Sequence, residues 1–208
     1  MPVPDFRIGD AFGCYGLDRP MLSAGVNAFT WGWPLPWPAK WTGLSHVAVI
    51  GMHPHASGET AVWESTTGSK LPCLLKGYPV DGVQAHGVAE WLAAYKGLVW
   101  HYPLTSDARQ WFNEEAAQAF LWSAAGRDYD YSEAWNARAT LGGWIARRLY
   151  RGVHDESFYC SELDAGYYRD GFSFAPGLWN PKDCQWSPNR LMRKTVRLGI
   201  HEHRSRVQ

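Results

Sequence analysis

Two short runs of strand-like composition constrain the fold of this chain most. Residues 44–51 read L-S-H-V-A-V-I-G, and residues 60–66 form a second such run after a turn at Ser57-Gly58. Runs of this length, bounded by turn residues, predict the two strands of a β-hairpin. Because side chains alternate between the two faces of a strand, His46 shares a face with small and apolar residues, where an imidazole needs a polar partner.

Further strands and helices follow from the same kind of pattern. Beyond the hairpin, strands are predicted over 8–15, 83–86 and 98–102. Short helices are predicted over 87–96 and within 157–171, and another helix runs from about 130 to 150 with a kink at Gly142-Gly143.

One long amphipathic helix is predicted over residues 108–124. Thr105, Ser106 and Asp107 supply candidate N-caps, and Gly126 would end the helix. Its helical spacing is marked by Trp111, Glu115, Gln118 and Trp122.

The whole chain, 1–208, is predicted to fold as one domain, since 46% of its 208 residues are hydrophobic and 19% are charged. Residues 16–43 are predicted to be a Trp/Pro-rich loop, because 31–41 alone hold three prolines and four tryptophans. From about residue 172 the chain is expected to be irregular up to a basic tail, which we interpret as a solvated edge. The basic residues of that tail are Arg190, Arg193, Lys194 and Arg197.

The charge balance argues against some classes of partner. Twenty Lys and Arg residues against twenty Asp and Glu give a formal net charge of zero, so nothing favours a nucleic acid or an anionic membrane surface. No apolar run approaches the ~18–20 residues of a membrane span, and residues 1–10 do not resemble a secretory signal. We therefore expect a cytoplasmic protein, with delivery to an envelope as part of a phage or secretion assembly as the alternative.

The cysteines and histidines favour neither a disulfide framework nor a metal site. The cysteines are widely spaced and contain no C-x-x-C pair, so free thiols are expected. They are Cys14, Cys73, Cys160 and Cys184. No acidic residue has ligand-like spacing to the histidines considered, His53, His55, His86 and His101. No metal and no cofactor are therefore predicted.

Cys160 is the candidate nucleophile. It lies in F-Y-C-S-E-L at the predicted start of a helix, where unpaired backbone N–H groups and the positive end of the dipole favour a thiolate. A thiolate attacks carbonyls far better than a thiol, and the same N–H groups can stabilise an oxyanion. Taken alone, a cysteine among aromatic residues is more often a buried core residue.

His46 and Glu64 supply the rest of a candidate catalytic set. The hairpin would bring them within roughly 4.5–8 Å of each other on one face. A carboxylate beside an imidazole fixes its tautomer and stabilises the imidazolium. Taken singly, His46 is interpreted as a core histidine and Glu64 as a solvent-facing residue. Together with Cys160 they form an acid–base–nucleophile set.

Six short motifs are spread along most of the chain. They are Gly9-Asp10, S-H-V-A-V-I from Ser45 to Ile50, V-W-E-S from Val62 to Ser65, G-x-x-Y-D from Gly126 to Asp130, Y-C-S-E-L from Tyr159 to Leu163, and Ser187-Pro188. In this order they resemble the YiiX-like branch of the permuted NlpC superfamily. Most members of the superfamily have the cysteine before the histidine, whereas the permuted branch, which includes lecithin:retinol acyltransferase-like enzymes, has the histidine first, as here.

The resemblance implies an α+β fold of the papain-like, permuted NlpC type, in which a small antiparallel sheet packs against helices. It implies that Cys160, at a helix N-terminus, faces His46 and Glu64. Tyr129 and Asp130 match the Y-D of the family and are expected to line the cleft or to donate a hydrogen bond near the thiol. The alternative is a structural role, with the tyrosine packing under the last helix.

The other residues expected at the substrate are Tyr159, Ser161, Trp33 and Trp37. The two tryptophans belong to residues 31–41, which directly precede the strand of His46. We expect this segment to be an ordered wall or lid of the cleft, since its aromatic faces suit an acyl chain or a sugar ring. The alternative is that these tryptophans are buried against the back of the sheet.

The function implied is that of a cysteine-dependent hydrolase or acyltransferase acting on an amide, ester or thioester bond. A peptide, a glycopeptide of peptidoglycan or a lipid acyl group is the expected substrate. The alternative is a catalytically silent binding or structural module, for example a component of a phage particle or of an envelope-associated assembly.

Overall fold

The strands and helices of the chain are known for residues 5–17, 43–129, 157–172 and 187–207, which the computed structural model describes. The strands in these ranges are β1 (Ala11–Gly16), β2 (His46–Met52), β3 (Thr60–Thr66), β4 (Gly82–Gly87), β5 (Gly97–Tyr102), β6 (Asp128–Tyr129), β7 (Ser157–Phe158) and β8 (Ser205–Arg206). The helices are α1 (Val88–Ala94), α2 (Ser106–Trp111), α3 (Glu114–Ala124), α4 (Cys160–Gly171) and α5 (Pro188–Arg197).

Six of the strands form one antiparallel sheet in the order β4-β3-β2-β1-β5-β8. The hairpin predicted from residues 44–51 and 60–66 is present as β2 and β3, with Val49 opposite Trp63. The remaining two strands, β6 and β7, pair in parallel and set Tyr129 beside Phe158. The expected combination of an antiparallel sheet with helices is confirmed at this level.

The two faces of the sheet carry separate apolar clusters. The larger cluster packs Val47, Val49 and Trp63 of the sheet against Leu121 of α3 and Leu163 of α4. The smaller cluster, on the opposite face, includes Phe12, Ile50, Val62 and Trp91 of α1. Alternation along the strands places His46 and Glu64 on this second face, with Ile50 and Val62. None of the helices in the described ranges is long and apolar enough to cross a membrane.

The long helix predicted over 108–124 is wrong, because two helices occupy this stretch. Phe112 and Asn113 are extended, and the Asn113 backbone N–H donates to the Gly171 carbonyl at 2.8 Å. The Asn113 side chain caps α3 by accepting from Ala116, while Thr105 caps α2. Phe112 is thereby drawn into the core, and the contact that breaks the helix comes from α4. Trp111 and Trp122, predicted to mark the helix pattern, are exposed.

The expectation of irregular structure from about residue 172 is also wrong for its last part. Ser187 caps α5 by accepting from the Arg190 N–H, and Pro188 occupies the first turn, where its missing N–H costs nothing. Beyond the helix, β8 pairs with β5. Several predictions fall outside the described residues: the helix at about 130–150, the loop with Trp33 and Trp37 apart from its first and last residues, Asp130, and Cys184.

Candidate active site

The register of the hairpin brings His46 and Glu64 together. Ile50 lies opposite Val62, so Glu64 and His46, at even spacings from this pair, share its face. His46 Nε2 donates to Glu64 Oε2 at 2.7 Å. The side chains are only 14% and 5% exposed, so this hydrogen bond is largely shielded from water.

Cys160 is held at the same end of the sheet by a link from the neighbouring residue of β3. The Ser65 hydroxyl donates to the Phe158 carbonyl in β7, two residues before the thiol. Tyr159 is extended and forms the N-cap, so α4 begins at Cys160. Adjacent residues of the V-W-E-S motif therefore serve two purposes: Glu64 binds the histidine, and Ser65 positions the segment that leads to the cysteine.

Cys160 lies beside His46, close enough to raise the pKa of the imidazole. Because Nε2 of His46 is occupied by Glu64, Nδ1 is the ring nitrogen left for the sulfur. Cys160 is 6% exposed and lies in the first turn of α4, where backbone N–H groups lack intrahelical acceptors. Cys160, His46 and Glu64 are thus arranged in one row.

The electrostatics of the row favour charge separation. Burial by itself would lower the pKa of His46, but the neighbouring Cys160 and the hydrogen-bonded Glu64 raise it well above its ordinary value. Burial likewise works to raise the pKa of Glu64, and the hydrogen bond and charge of His46 bring the net result below the usual value. Glu64 is therefore ionised at neutral pH and stabilises an imidazolium at His46.

Two residues that contact Glu64 were missed from the sequence. Trp91 lies near the carboxylate and helps to lower its pKa, and His86 Nε2 lies 3.6 Å from Glu64 Oε1. Gln84 lies directly opposite Glu64 in β4, and His86 follows it on the same face. The period-two pattern of β4 places His86 on one face, but it does not show which strand is its neighbour.

Asn189 was also missed, although it follows the Ser187-Pro188 motif. Its Oδ1 accepts from the Leu44 backbone N–H at 2.7 Å and its Nδ2 donates to the Leu44 carbonyl at 3.0 Å. Leu44 precedes His46 by two residues, so this pair of bonds ties α5 to the beginning of β2. No local sequence signal connects positions 44 and 189.

The structure describes three of the residues expected at the substrate. Tyr129 is half-buried in β6, opposite Phe158, which sets it next to the segment that leads into α4. Tyr159 and Ser161 flank Cys160 and are themselves buried. Trp33 and Trp37 lie outside the described residues.

The histidines considered as metal ligands have other partners. His55 binds the Leu74 carbonyl, His86 the Pro72 carbonyl, and His101 Asp10. His53 Nδ1 accepts from backbone N–H groups. Across the described ranges, no group of three or more potential ligands is arranged to hold a metal ion.

Three of the four cysteines, Cys14, Cys73 and Cys160, are free thiols. Burial and the nearby negative charge of Glu64 raise the pKa of Cys14 well above its usual value. Cys14 therefore remains a protonated thiol at neutral pH.

No family model, no curated protein and no solved structure matches the chain. Its chemistry must therefore be inferred from the residues themselves.

Proposed function

We propose that the protein is a cysteine-dependent hydrolase or acyltransferase of the papain-like, permuted NlpC type, YiiX-like branch. The observation that carries the proposal is the row in which His46 is hydrogen-bonded to Glu64 at 2.7 Å and lies beside Cys160 at the start of α4. The same residues stand in the motifs S-H-V, V-W-E-S and Y-C-S-E-L that resemble this branch.

The reaction begins with transfer of the thiol proton from Cys160 to His46. The thiolate attacks the carbonyl carbon of an amide, ester or thioester, and the negative charge moves to the carbonyl oxygen near the first-turn N–H groups of α4. His46 then gives its proton to the leaving nitrogen, oxygen or sulfur as that bond breaks. An S-acyl enzyme remains.

The second half of the reaction regenerates the thiol. Water, or an acceptor amine or alcohol, loses a proton to His46 and attacks the acyl carbon. Collapse of the tetrahedral adduct expels the Cys160 sulfur, which recovers its proton from His46. Glu64 remains ionised throughout and stabilises the imidazolium in both halves. The acyl donor is a peptide, a glycopeptide or a lipid acyl group.

Acyl transfer from an activated ester probe tests the proposal, with the intact protein mass as the readout. The wild-type protein should gain one acyl group, the Cys160→Ala variant none, and the His46→Ala variant should react about 10²-fold or more slowly. Cys73→Ala is the matched control, because Cys73 is a buried thiol outside the row, and it should label like the wild type.

Two results would contradict the proposal. One is an unlabelled wild-type protein, which would instead favour a binding or structural module. The other is equal labelling of the wild type and Cys160→Ala.

A further inference from the structure

His86 is held in one ring orientation and one tautomer. Its Nδ1 lies 3.0 Å from the Pro72 carbonyl oxygen. A carbonyl oxygen can only accept a hydrogen bond, so Nδ1 carries a hydrogen and donates it. Nε2 is therefore a bare lone pair if the ring is neutral, or an N–H donor if the ring is cationic.

The surroundings of Nε2 distinguish between these two states. Nε2 is buried and has no hydrogen-bond partner among the described residues, and the nearest charged atom is Glu64 Oε1 at 3.6 Å. A lone pair facing a buried carboxylate is repulsive and leaves a polar atom unsatisfied. An N–H at the same position points toward an anion, and a small movement would close a charge-assisted hydrogen bond.

Other nearby charges also favour the cation. His86 lines a cavity of about 530 Å³ together with Glu59 and Glu90, while no Lys or Arg lines it among the described residues. Carboxylates therefore share this cavity with His86 from the residue before β3 and from α1, in addition to Glu64 of β3, whose Oε1 lies 3.6 Å from Nε2.

We propose that His86 is a positioning residue that carries hydrogens on both ring nitrogens and holds Oε1 of Glu64 while His46 holds Oε2. This inference rests on the proposed function. His86 fixes the carboxylate in the orientation that His46 needs. Its positive charge also offsets part of the negative charge of Glu64. Glu64 then holds the proton of His46 less tightly, and His46 can release this proton to the leaving group.

A pair of amide substitutions separates the two nitrogens of His86. The His86→Gln side chain can place its amide nitrogen near Nε2 and keep a donor toward Glu64. The shorter His86→Asn side chain can reach only the position of Nδ1 and keeps the donor to Pro72. Because both variants are neutral amides, a difference between them reports on the Glu64 contact.

The readout is the rate of Cys160 alkylation by iodoacetamide across pH, in a background where Cys73 is alanine. We expect His86→Asn to lower the rate at neutral pH about 10-fold and His86→Gln to restore most of it. In a Glu64→Gln background His86→Asn should have no further effect, because a residue that acts through Glu64 has nothing left to act on.

A structural role for His86 predicts a different pattern: equal losses in both variants, or losses that add to that of Glu64→Gln. Either result would overturn the inference. If instead alkylation of the wild type does not depend on His46, the inference and the proposed function fail together. If it depends on His46 and His86→Asn reacts like the wild type, only the inference fails.

The charge of the ring can also be measured in the unmutated protein. Imidazole nitrogen NMR of His86 should show two similar shifts, as expected for two N–H groups. Two well-separated shifts would reveal a lone pair on Nε2 and would overturn the inference even if a variant failed to fold.

Discussion

In the described part of the chain two buried carboxylates bind histidines, Asp10 and Glu64, and they differ in how fully they are hydrogen-bonded. Asp10 Oδ2 accepts from His101 at 2.9 Å and from the Arg7 backbone at 3.1 Å. Its Oδ1 accepts from the Leu104 backbone at 3.0 Å and from the Arg109 guanidinium. Four donors thus converge on Asp10, and together they tie the beginning of β1 to β5 and α2.

Glu64 has a less complete set of donors, and a reactive group stands next to it. His46 makes one short hydrogen bond, and His86 Nε2 remains 3.6 Å away. Beyond His46 lies the thiol of Cys160. Asp10, whose two oxygens are both fully hydrogen-bonded, holds secondary-structure elements together. Glu64 has a histidine partner that can exchange a proton with a thiol, which is the arrangement that acid–base chemistry needs.

The largest effect is expected where the carboxylate is saturated. Asp10→Asn removes the charge and leaves Arg109 and His101 without their anion, which should lower the free energy of unfolding by about 3 kcal/mol. Urea denaturation measures this loss. Acyl labelling of the folded protein should stay at the wild-type level, since Asp10 is not part of the row.

The contribution of Asp10 should also depend on pH in a defined direction. Burial works to raise the pKa of Asp10, but the hydrogen bonds from His101, Leu104 and Arg7 lower it below the ordinary value. The unfolded chain therefore binds a proton before the native state does as pH falls. The stabilisation is present above the unfolded pKa of about 3.9 and is lost as pH falls through the native value. If Asp10→Asn is as stable as the wild type at pH 7, this structural role of Asp10 is contradicted.

The opposite pattern is expected for Glu64. Glu64→Gln keeps the size of the side chain but removes the charge that stabilises the His46 imidazolium, so acyl labelling should slow about 10²-fold. Stability should change less than in Asp10→Asn, because fewer donors lose their acceptor. Labelling rates and urea curves of the two variants, measured side by side, test the comparison. A stable, fully active Glu64→Gln protein would remove Glu64 from the row.

The sequence predicts these two clusters unequally. The hairpin follows from local composition and turns, and the alternation of its strands places His46 and Glu64 on one face before any tertiary contact is known. Asp10 was noted only as part of a glycine-aspartate motif. Its partners come from positions 101, 104 and 109, and such long-range pairing is set by strand order, which one sequence does not encode locally.

The two errors in the predicted helices have different physical origins. The break at Asn113 depends on a carbonyl of α4 that is distant in sequence, so the local helical pattern continued through it in the prediction. Helix α5 is different, because Ser187 and Pro188 are local start signals that were assigned to a motif instead of to a helix cap. The papain-like fold type and the catalytic roles remain proposals.

A third buried carboxylate sharpens the comparison, because it has no hydrogen-bond partner. Asp164 lies one turn after Cys160 in α4 and is fully buried, and within the described part of the chain neither of its carboxylate oxygens is hydrogen-bonded. Burial, followed by the negative charges at Cys160 and Glu64, raises its pKa well above the usual value. The native protein therefore keeps this side chain protonated at pH values where the unfolded chain has released the proton.

The smallest effect is accordingly expected from Asp164→Asn, and it should be an increase in the free energy of unfolding. Between the unfolded and native pKa values of Asp164 the native state binds more protons than the unfolded state, so the free energy of unfolding falls as pH rises. Asparagine cannot ionise, which removes this loss, so the variant should be more stable than the wild type at pH 8 and nearly equal to it at low pH. Urea denaturation at pH 5 and pH 8 measures the difference.

Asp107→Asn, at an exposed acid in the first turn of α2, is the control and should change stability by no more than a few tenths of a kcal/mol. If Asp164→Asn is instead destabilised at both pH values and labels slowly, the unpartnered acid works with Cys160, and hydrogen-bond saturation does not separate structural from reactive carboxylates in this protein.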